Sequence, residues 1–480
     1  MNPALSSDLS SAQRLSGEET RVSMSRVILG WSFGAVFMQL SAGAVYAAFA
    51  RQLGASEAVF GLLAGINPLM AFLQIPAARL LETGIAPRAM MLWAGLSSRL
   101  LWVFAAMLPL LHHVFPALVP REAMLPVFIG CVLLSSVGQA FASPAFFAWM
   151  SALIPDRIGP IFWARRSQIG TIVAMFAVLI GGGIADHAGW FKAQTQGEWT
   201  PLLTYSALLT VAACCGVLDI AVFLGVREPP RAAKPQHSPP FWASLRQPLR
   251  QRAVRNYLLF TVFAMIGFAS SGPLLWLFCL EFLEFDKTQT GFLLTICPLL
   301  GVALSARWWG RIAKRYGTRP MMRFASVGML VVPFCWLFAV PENKMGLAVV
   351  LFFSGIMFSA YEISNLNFIT RACPHLPRPT LTALFSICAG TSFALTSWGA
   401  GVAVEKLAFW HFEVAGMSFV NYHLLFAVSL VPRLVNAVFL APRLEDPDAS
   451  GTRNAMEELG ANFAAAFGTR FTRLFQARGE

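Results

Sequence analysis

Apolar residues crowd into twelve runs of membrane-helix length: 27–50, 58–80, 88–110, 124–153, 162–187, 201–226, 254–281, 290–311, 320–340, 345–371, 380–404 and 421–441. A hydrocarbon core about 30 Å thick takes about 20 such residues when each rises 1.5 Å. The pattern therefore predicts twelve transmembrane helices and an all-α polytopic membrane protein. The long runs at 124–153 and 345–371 are expected to tilt or to extend past the bilayer. Residues 1–26 are Ser-rich and polar, so no cleavable signal peptide is expected and the first run itself would direct the chain to the membrane. Residues 227–253, REPPRAAKPQHSPPFWASLRQPLRQRA, are Pro-rich and basic and read as a linker, with a short amphipathic helix near 241–249. That linker divides the runs into a six-helix half at 27–226 and another at 254–441. The tail, 442–480, turns polar from Ala449 and then aromatic and basic through Phe463, Phe467, Phe471 and Phe475; an interfacial helix and a disordered tail both fit it.

The two halves echo each other. Residues 61–91 read GLLAGINPLMAFLQIPAARLLETGIAPRAMM, and 291–323 read GFLLTICPLLGVALSARWWGRIAKRYGTRPMMR. Each sets a Pro-Leu pair seven residues after its first Gly (Pro68-Leu69, Pro298-Leu299). Each ends in a Gly-and-Arg turn followed by Met-Met (Met90-Met91, Met321-Met322). AVFLGVREPP closes the sixth run and AVFLAPRLEDP the twelfth. Such internal repeats mark transporters built from related halves.

The turn at 310–319, GRIAKRYGTR, resembles the cytoplasmic signature of the major facilitator superfamily, Gly-x-Leu-x-Asp-Arg-x-Gly-Arg-Lys, which lies between the second and third helices and is echoed between the eighth and ninth. Gly310, Ile312, Arg315, Gly317 and Arg319 fit it, and Lys314 departs from it by standing in the acidic position. The first-half copy keeps Gly84, Arg88 and an approximately placed Glu82. The resemblance implies two pseudo-symmetric six-helix halves that rock about a site near the bilayer midplane. It also implies that the first, fourth, seventh and tenth helices line the cavity.

Charge refines this picture. The chain of 480 residues is 56% hydrophobic but only 12% charged, against about 25% in a soluble domain, and its mean hydropathy is +0.61. The net charge of +12 does not point to nucleic acid. With the N-terminus placed inside, 28 of the 36 Lys and Arg fall in inner segments and 6 in outer ones, so both termini are expected in the cytoplasm. The eight cysteines show no CxxC pattern, and neither a disulfide framework nor a metal site is expected. No nucleophile elbow, P-loop or His-Glu-x-x-His motif appears, so neither enzymatic activity nor a cofactor is expected.

Polar residues concentrate in the four spans that the resemblance assigns to the cavity. The first carries Gln39 and Tyr46, and the fourth carries Gln139 ahead of Pro144. The seventh carries SSGP at 270–273, read as a helix break, with Ser271 and then Trp276. The tenth carries Tyr361, Glu362 and Asn365. Broken helices expose backbone groups that lipid cannot satisfy but a wet cavity can. Hydrogen bonding between helices is the plain alternative for each of these residues. Glu362 lies nine residues from Arg371, about 14 Å from the inner end. A carboxylate at that depth is costly unless paired or protonated, which makes Glu362 the candidate to carry a proton. Arg157, Arg311, Arg315 and Arg319 are candidate gate residues beside Gly310 and Gly317, with positive-inside anchoring as the alternative. Arg99, Asp219 and Arg433 lie within spans and read as buried structural charges, with Asp219 a plausible partner of Arg99. Gly181-Gly182-Gly183 and Gly30-x-x-x-Gly34 read as close-packing sites. The fifth helix lacks the longer Gly-rich signature of drug/proton antiporters.

The expected function is secondary transport of a small organic solute by a monomer in a bacterial inner membrane. A sugar or similar polar solute is favoured, with a proton as coupling ion. Multidrug/proton efflux is the alternative within the class, and a non-transporting membrane sensor or scaffold is the alternative outside it.

Overall fold

The computed structural model describes residues 17–155, 158–195, 197, 199–228, 248–371, 378–414 and 417–445. The linker core, the 241–249 helix apart from its last two residues, the C-terminal tail and Arg157 lie outside the described residues. The helices of eight residues or more, in chain order, are α1 (Gly17–Leu40), α2 (Ala44–Gln52), α3 (Glu57–Glu82), α4 (Pro87–Val114), α5 (Arg121–Leu153), α6 (Gly159–Asp186) and α7 (Pro201–Gly225). There follow α8 (Arg252–Ala269), α9 (275–282), α10 (Lys287–Tyr316), α11 (Thr318–Trp336), α12 (Lys344–Arg371), α13 (Arg378–Lys406) and α14 (Asn421–Arg443).

Among the described residues, nine helices are long and apolar enough to cross a membrane, or ten if the bent pair α1–α2 is one span. The other two apolar runs form α8 with α9, interrupted at 270–274, and α11, which opens on Arg319 and Arg323. Helix α1 begins ten residues ahead of the apolar run. Glu18 and Glu19 stand in its first turn, where acidic side chains complement the helix dipole. An antiparallel hairpin, β1 (His411–Val414) with β2 (Met417–Val420), joins α13 to α14, a feature not expected from the sequence. Its two inner rings, Phe412 and Phe419, are paired across the strands and stacked at 5.3 Å.

The described chain groups into two compact units. The first is drawn from 17–228, Ala269–Ile296 and Ala389–Tyr422, and the second from 248–268, Cys297–Cys388 and 423–445. The core of the first unit includes Met90, Met91, Trp149, Phe162 and Phe223. The core of the second includes Phe260, Trp309, Met321, Met322 and Met357. The two Met-Met pairs of the repeat therefore do the same job, each sealing the core of its own unit with flexible apolar side chains.

The Gly-and-Arg turns also repeat in structure. Gly84 (φ +106°) and Gly317 (φ +81°) both take a left-handed backbone, where a Cβ is strained. Arg88 Nη2 donates to the Leu224 carbonyl at 2.8 Å, at the end of α7. Arg319, 231 residues later, donates through Nη2 to the Pro442 carbonyl at 2.6 Å, at the end of α14. Each turn arginine thus caps the C-terminal carbonyls of the last span of its own half.

Candidate functional site

Spans one and seven are both broken, at matching places. Ser41 lies between α1 and α2, which bend by 48°. Its hydroxyl donates to the Phe37 carbonyl at 2.7 Å, a back-bond that loosens the helical ladder. Ser271, 230 residues later, sits buried in the break between α8 and α9, and its carbonyl accepts from the Leu275 N–H at 3.1 Å. The sequence reading foresaw the second break from SSGP and missed the first, which contains no Pro.

Beside these breaks, within the first unit, lies a cavity of about 10 Å³, the size of one water. Gln39 and Trp276 line it together with Gly43, Gly182, Lys287 and Thr295. Two of the expected site residues, one from span one and one from span seven, therefore meet at one cavity. Tyr46 stands at the repeat position equivalent to Trp276 but packs elsewhere. It is buried among Phe60, Trp102 and Phe128, at ring distances of 6.1, 6.1 and 6.2 Å. Gln139 is half-buried on α5.

The remaining candidates lie in the second unit. Asn365 is buried and its side-chain oxygen accepts from the Tyr257 hydroxyl. The Tyr257 ring stacks between Phe368 and Phe385, at 5.8 and 5.9 Å. Tyr361 is buried against Phe260, Phe268 and Phe358. Glu362 is half-buried beside it, and none of the ion pairs among the described residues includes it. Tyr257 was not singled out from sequence, because a lone tyrosine in an apolar run carries no local signal.

The buried charges fall into two related arrangements. In the first unit Arg99 on α4 reaches Asp219 on α7 at 3.7 Å and lies 4.0 Å from the Phe37 ring centre. Gly30 and Gly34 make room for the carboxylate: a Cβ on Gly34 would stand 2.7 Å from its oxygen. In the second unit Arg433 on α14 lies 4.9 Å from the Phe268 ring centre and donates to the carbonyls of Gly267 at 3.1 Å and Met329 at 3.2 Å. Phe37 and Phe268 each lie on the opening span of their half, ahead of its break. The arginine above each ring comes from the third span in one half and the last span in the other.

Of the gate candidates, Gly310, Arg311 and Arg315 are exposed on the last turns of α10, with the Arg315 guanidinium 4.9 Å from the Tyr316 ring centre. Gly317 and Arg319 belong to the turn described above.

A further cluster, unforeseen as a site, gathers at the end of the first unit where α2 meets α3. Arg51 binds Glu57 at 2.7 Å through Nη2 and grips both carboxylate oxygens of Glu281, with Nη2 to Oε2 at 2.8 Å. Asp186, the last residue of α6, accepts from the backbone N–H of Lys287 at 2.7 Å and of Thr288 at 3.0 Å, and from the Thr288 hydroxyl at 2.6 Å. Glu405, near the end of α13, accepts from the Ala58 N–H at 3.3 Å. The available sequence signal was the repeat itself: Arg51 and Glu281 stand at equivalent positions with opposite charge.

A set of apolar spans built as two repeats, each opening on a helix broken beside polar side chains, defines a polytopic membrane transporter assembled from related halves. The sequence profile of the Major Facilitator Superfamily matches residues 28–397 and 270–475, and the chain belongs to that superfamily. Among solved structures it is similar to a single-substitution form of the nucleoside transporter NupG, with a TM-score of 0.65 and 12% identity over 88% of this chain and 100% of that one. It is similar to an inward-facing, occupied bacterial homologue of the human lysosomal transporter Spinster (TM-score 0.64, 16% identity, 91% and 100% of the two chains). It is also similar to a D-xylose–proton symporter (TM-score 0.61, 13% identity, 90% and 98%). These likenesses are of fold. No sequence among the curated proteins matches the chain.

Proposed function

We propose that this transporter is a secondary carrier that moves a small polar organic solute by alternating access, with proton coupling through Glu362. The observation that carries the reading is that Gln39 and Trp276 meet at the breaks of spans one and seven, around a cavity of about 10 Å³ that has room for one water and would have to widen to admit a solute. An amide offers both a donor and an acceptor, which suits hydroxyl-bearing solutes. An indole ring offers a face for a sugar or base to stack upon. A nucleoside transporter and a D-xylose–proton symporter share the fold and carry solutes of that kind.

Glu362 supports coupling because it is half-buried on a span and has no basic partner among the described residues. A lone carboxylate in such a place is relieved by taking up a proton. The six-helix halves at 27–226 and 254–441 would be the rocking bodies, with both termini in the cytoplasm and the Arg51 end outside, on the side poor in Lys and Arg.

The test is solute uptake into proteoliposomes with and without an inward proton gradient. Wild-type protein is expected to accumulate the solute under the gradient. Glu362→Gln is expected to lose accumulation while still exchanging solute across the membrane. Accumulation that survives in Glu362→Gln removes the coupling role, and an absence of flux with every polar solute removes the carrier reading.

A further inference from the structure

The charged cluster at the Arg51 end is organised as a repeat whose two copies meet. Helices α6 and α13 are the fifth spans of their halves, and each ends in a glycine followed four residues later by an acid: Gly182 and Asp186, Gly401 and Glu405. Each glycine packs on the first turn of the second span of the other half. A Cβ on Gly182 would stand 2.8 Å from the Thr288 Cα, and one on Gly401 would overlap the Glu57 carbonyl and stand 2.8 Å from the Ala58 Cα. Each acid then takes the free N–H groups of that same first turn, Lys287 and Thr288 for Asp186, Ala58 for Glu405. A carboxylate at a helix N-terminus is held by both hydrogen bonds and the helix dipole. The glycine supplies the close approach that brings the acid within reach.

Arg51 joins the two copies. It binds Glu57, the first residue of α3, and also Glu281, in the last turns of α9 and six residues before Lys287. A continuous run of contacts therefore passes from Glu405 to the start of α3, through Arg51 to Glu281, and by a short connection to the start of α10 and Asp186. The stretch is further closed by the Ser397 hydroxyl, which donates to the Gly61 carbonyl at 2.8 Å. Every one of these contacts lies inside the first unit.

We propose that Asp186, Glu405 and the Arg51–Glu281 pair form a single latch that holds this end of the transport path shut and releases as one body when the carrier opens there. The inference rests on the carrier reading above. The two caps differ in strength: Asp186 holds three donors within 3.0 Å, whereas Glu405 holds one at 3.3 Å. Asp186 is therefore the stronger anchor and Arg51 the link between the two seams.

Hydrogen–deuterium exchange of the full-length protein in lipid nanodiscs tests this without any solute. Two peptides report the latch, one over the start of α10 (286–296) and one over the start of α3 (56–66). Asp186→Asn is expected to speed exchange in both by about tenfold, the scale of one lost charge-assisted hydrogen bond. Glu405→Gln is expected to do the same more weakly. Arg51→Glu is expected to loosen both, and the exchange Arg51→Glu with Glu281→Arg to restore protection in part, because the 51–281 pair is remade while Glu57 then faces a carboxylate. The restored double variant also separates latch release from a failure to fold. If Asp186→Asn loosened only the α10 peptide, or if the charge exchange restored nothing, the single latch would be overturned and local caps would remain. If both peptides responded as expected while no solute moved in proteoliposomes, the latch would stand and the carrier reading would fall.

Discussion

Arg99 and Arg433 are buried charges with different answers to the same problem. Arg99 is met by a carboxylate, Asp219, at 3.7 Å, and Arg433 by two backbone carbonyls. Removing one member of a buried pair leaves the other charge stranded at a cost of about 3–5 kcal/mol, whereas replacing both by apolar groups is often close to neutral. Arg99→Met and Asp219→Leu are each expected to destabilise the protein by about that amount, and the double variant to lose much less than the sum. Arg433→Met strands no charge and is expected to cost about 1–3 kcal/mol, the scale of losing its hydrogen bonds to Gly267 and Met329. Thermal unfolding in one detergent, over all four variants, reads these differences; a double variant as unstable as the sum would show that the two residues do not act as a pair. At this scale the sequence sets Arg99, Asp219 and Arg433 within apolar runs, and the structure has them on α4, α7 and α14. The sequence could not choose between a carboxylate and carbonyls as the partner of Arg433, because that choice depends on which backbone carbonyls lie beside α14.

At the scale of elements, two features recur: spans broken near their middle, and glycines that let one helix seat on another. Gly61 faces the Ser397 carbonyl, Gly65 the Ala394 backbone, Gly390 the Pro68 carbonyl and Gly401 the Glu57 carbonyl, all between α3 and α13. A valine at Gly61 would place its Cβ on the Ser397 oxygen, so the seam could not close. Gly61→Val is expected to lower solute flux at least about tenfold while the protein remains folded, since packing strain of about 1–3 kcal/mol falls on the seam, not on the interior of a six-helix half. Flux assays paired with melting curves check this, and wild-type flux in that variant would show the seam to be irrelevant to the cycle. Gly355 and Gly301 perform the same service between α10 and α12, where Gly355 faces the Pro298 carbonyl and Gly301 the Phe352 carbonyl. Gly355→Val is expected to lower the melting temperature instead.

For the molecule as a whole, the carrier reading predicts a ligand that binds the folded state alone and so raises its melting temperature. A solute at a hundredfold excess over its Kd adds about 2.7 kcal/mol. Sugars and nucleosides are expected to shift the melting curve, and lipophilic cations are not. The reverse outcome would move the protein to drug efflux, and Gln39→Ala and Trp276→Ala would show whether the cavity at the broken spans is where the solute sits.

Hydropathy, repeats and charge bias depend on local composition, and these were legible in the chain. The apolar runs had to become helices because lipid leaves no other partner for the backbone. The repeated Gly-Pro-Met pattern had to fold twice into similar units, and the break at 270–273 announced itself by Gly and Pro. The break at Ser41 did not, since a serine back-bonding to Phe37 reads like any helical serine until the bend is seen. Nor did the sequence separate Trp276, which lines the cavity, from Tyr46, which the same repeat position buries among rings. The pairings of Arg51 with Glu281 and of Asp186 with Thr288 span 230 and 102 positions. Such contacts follow from how helices pack, and packing is set by the shapes of many residues at once, so only the tertiary structure decided them.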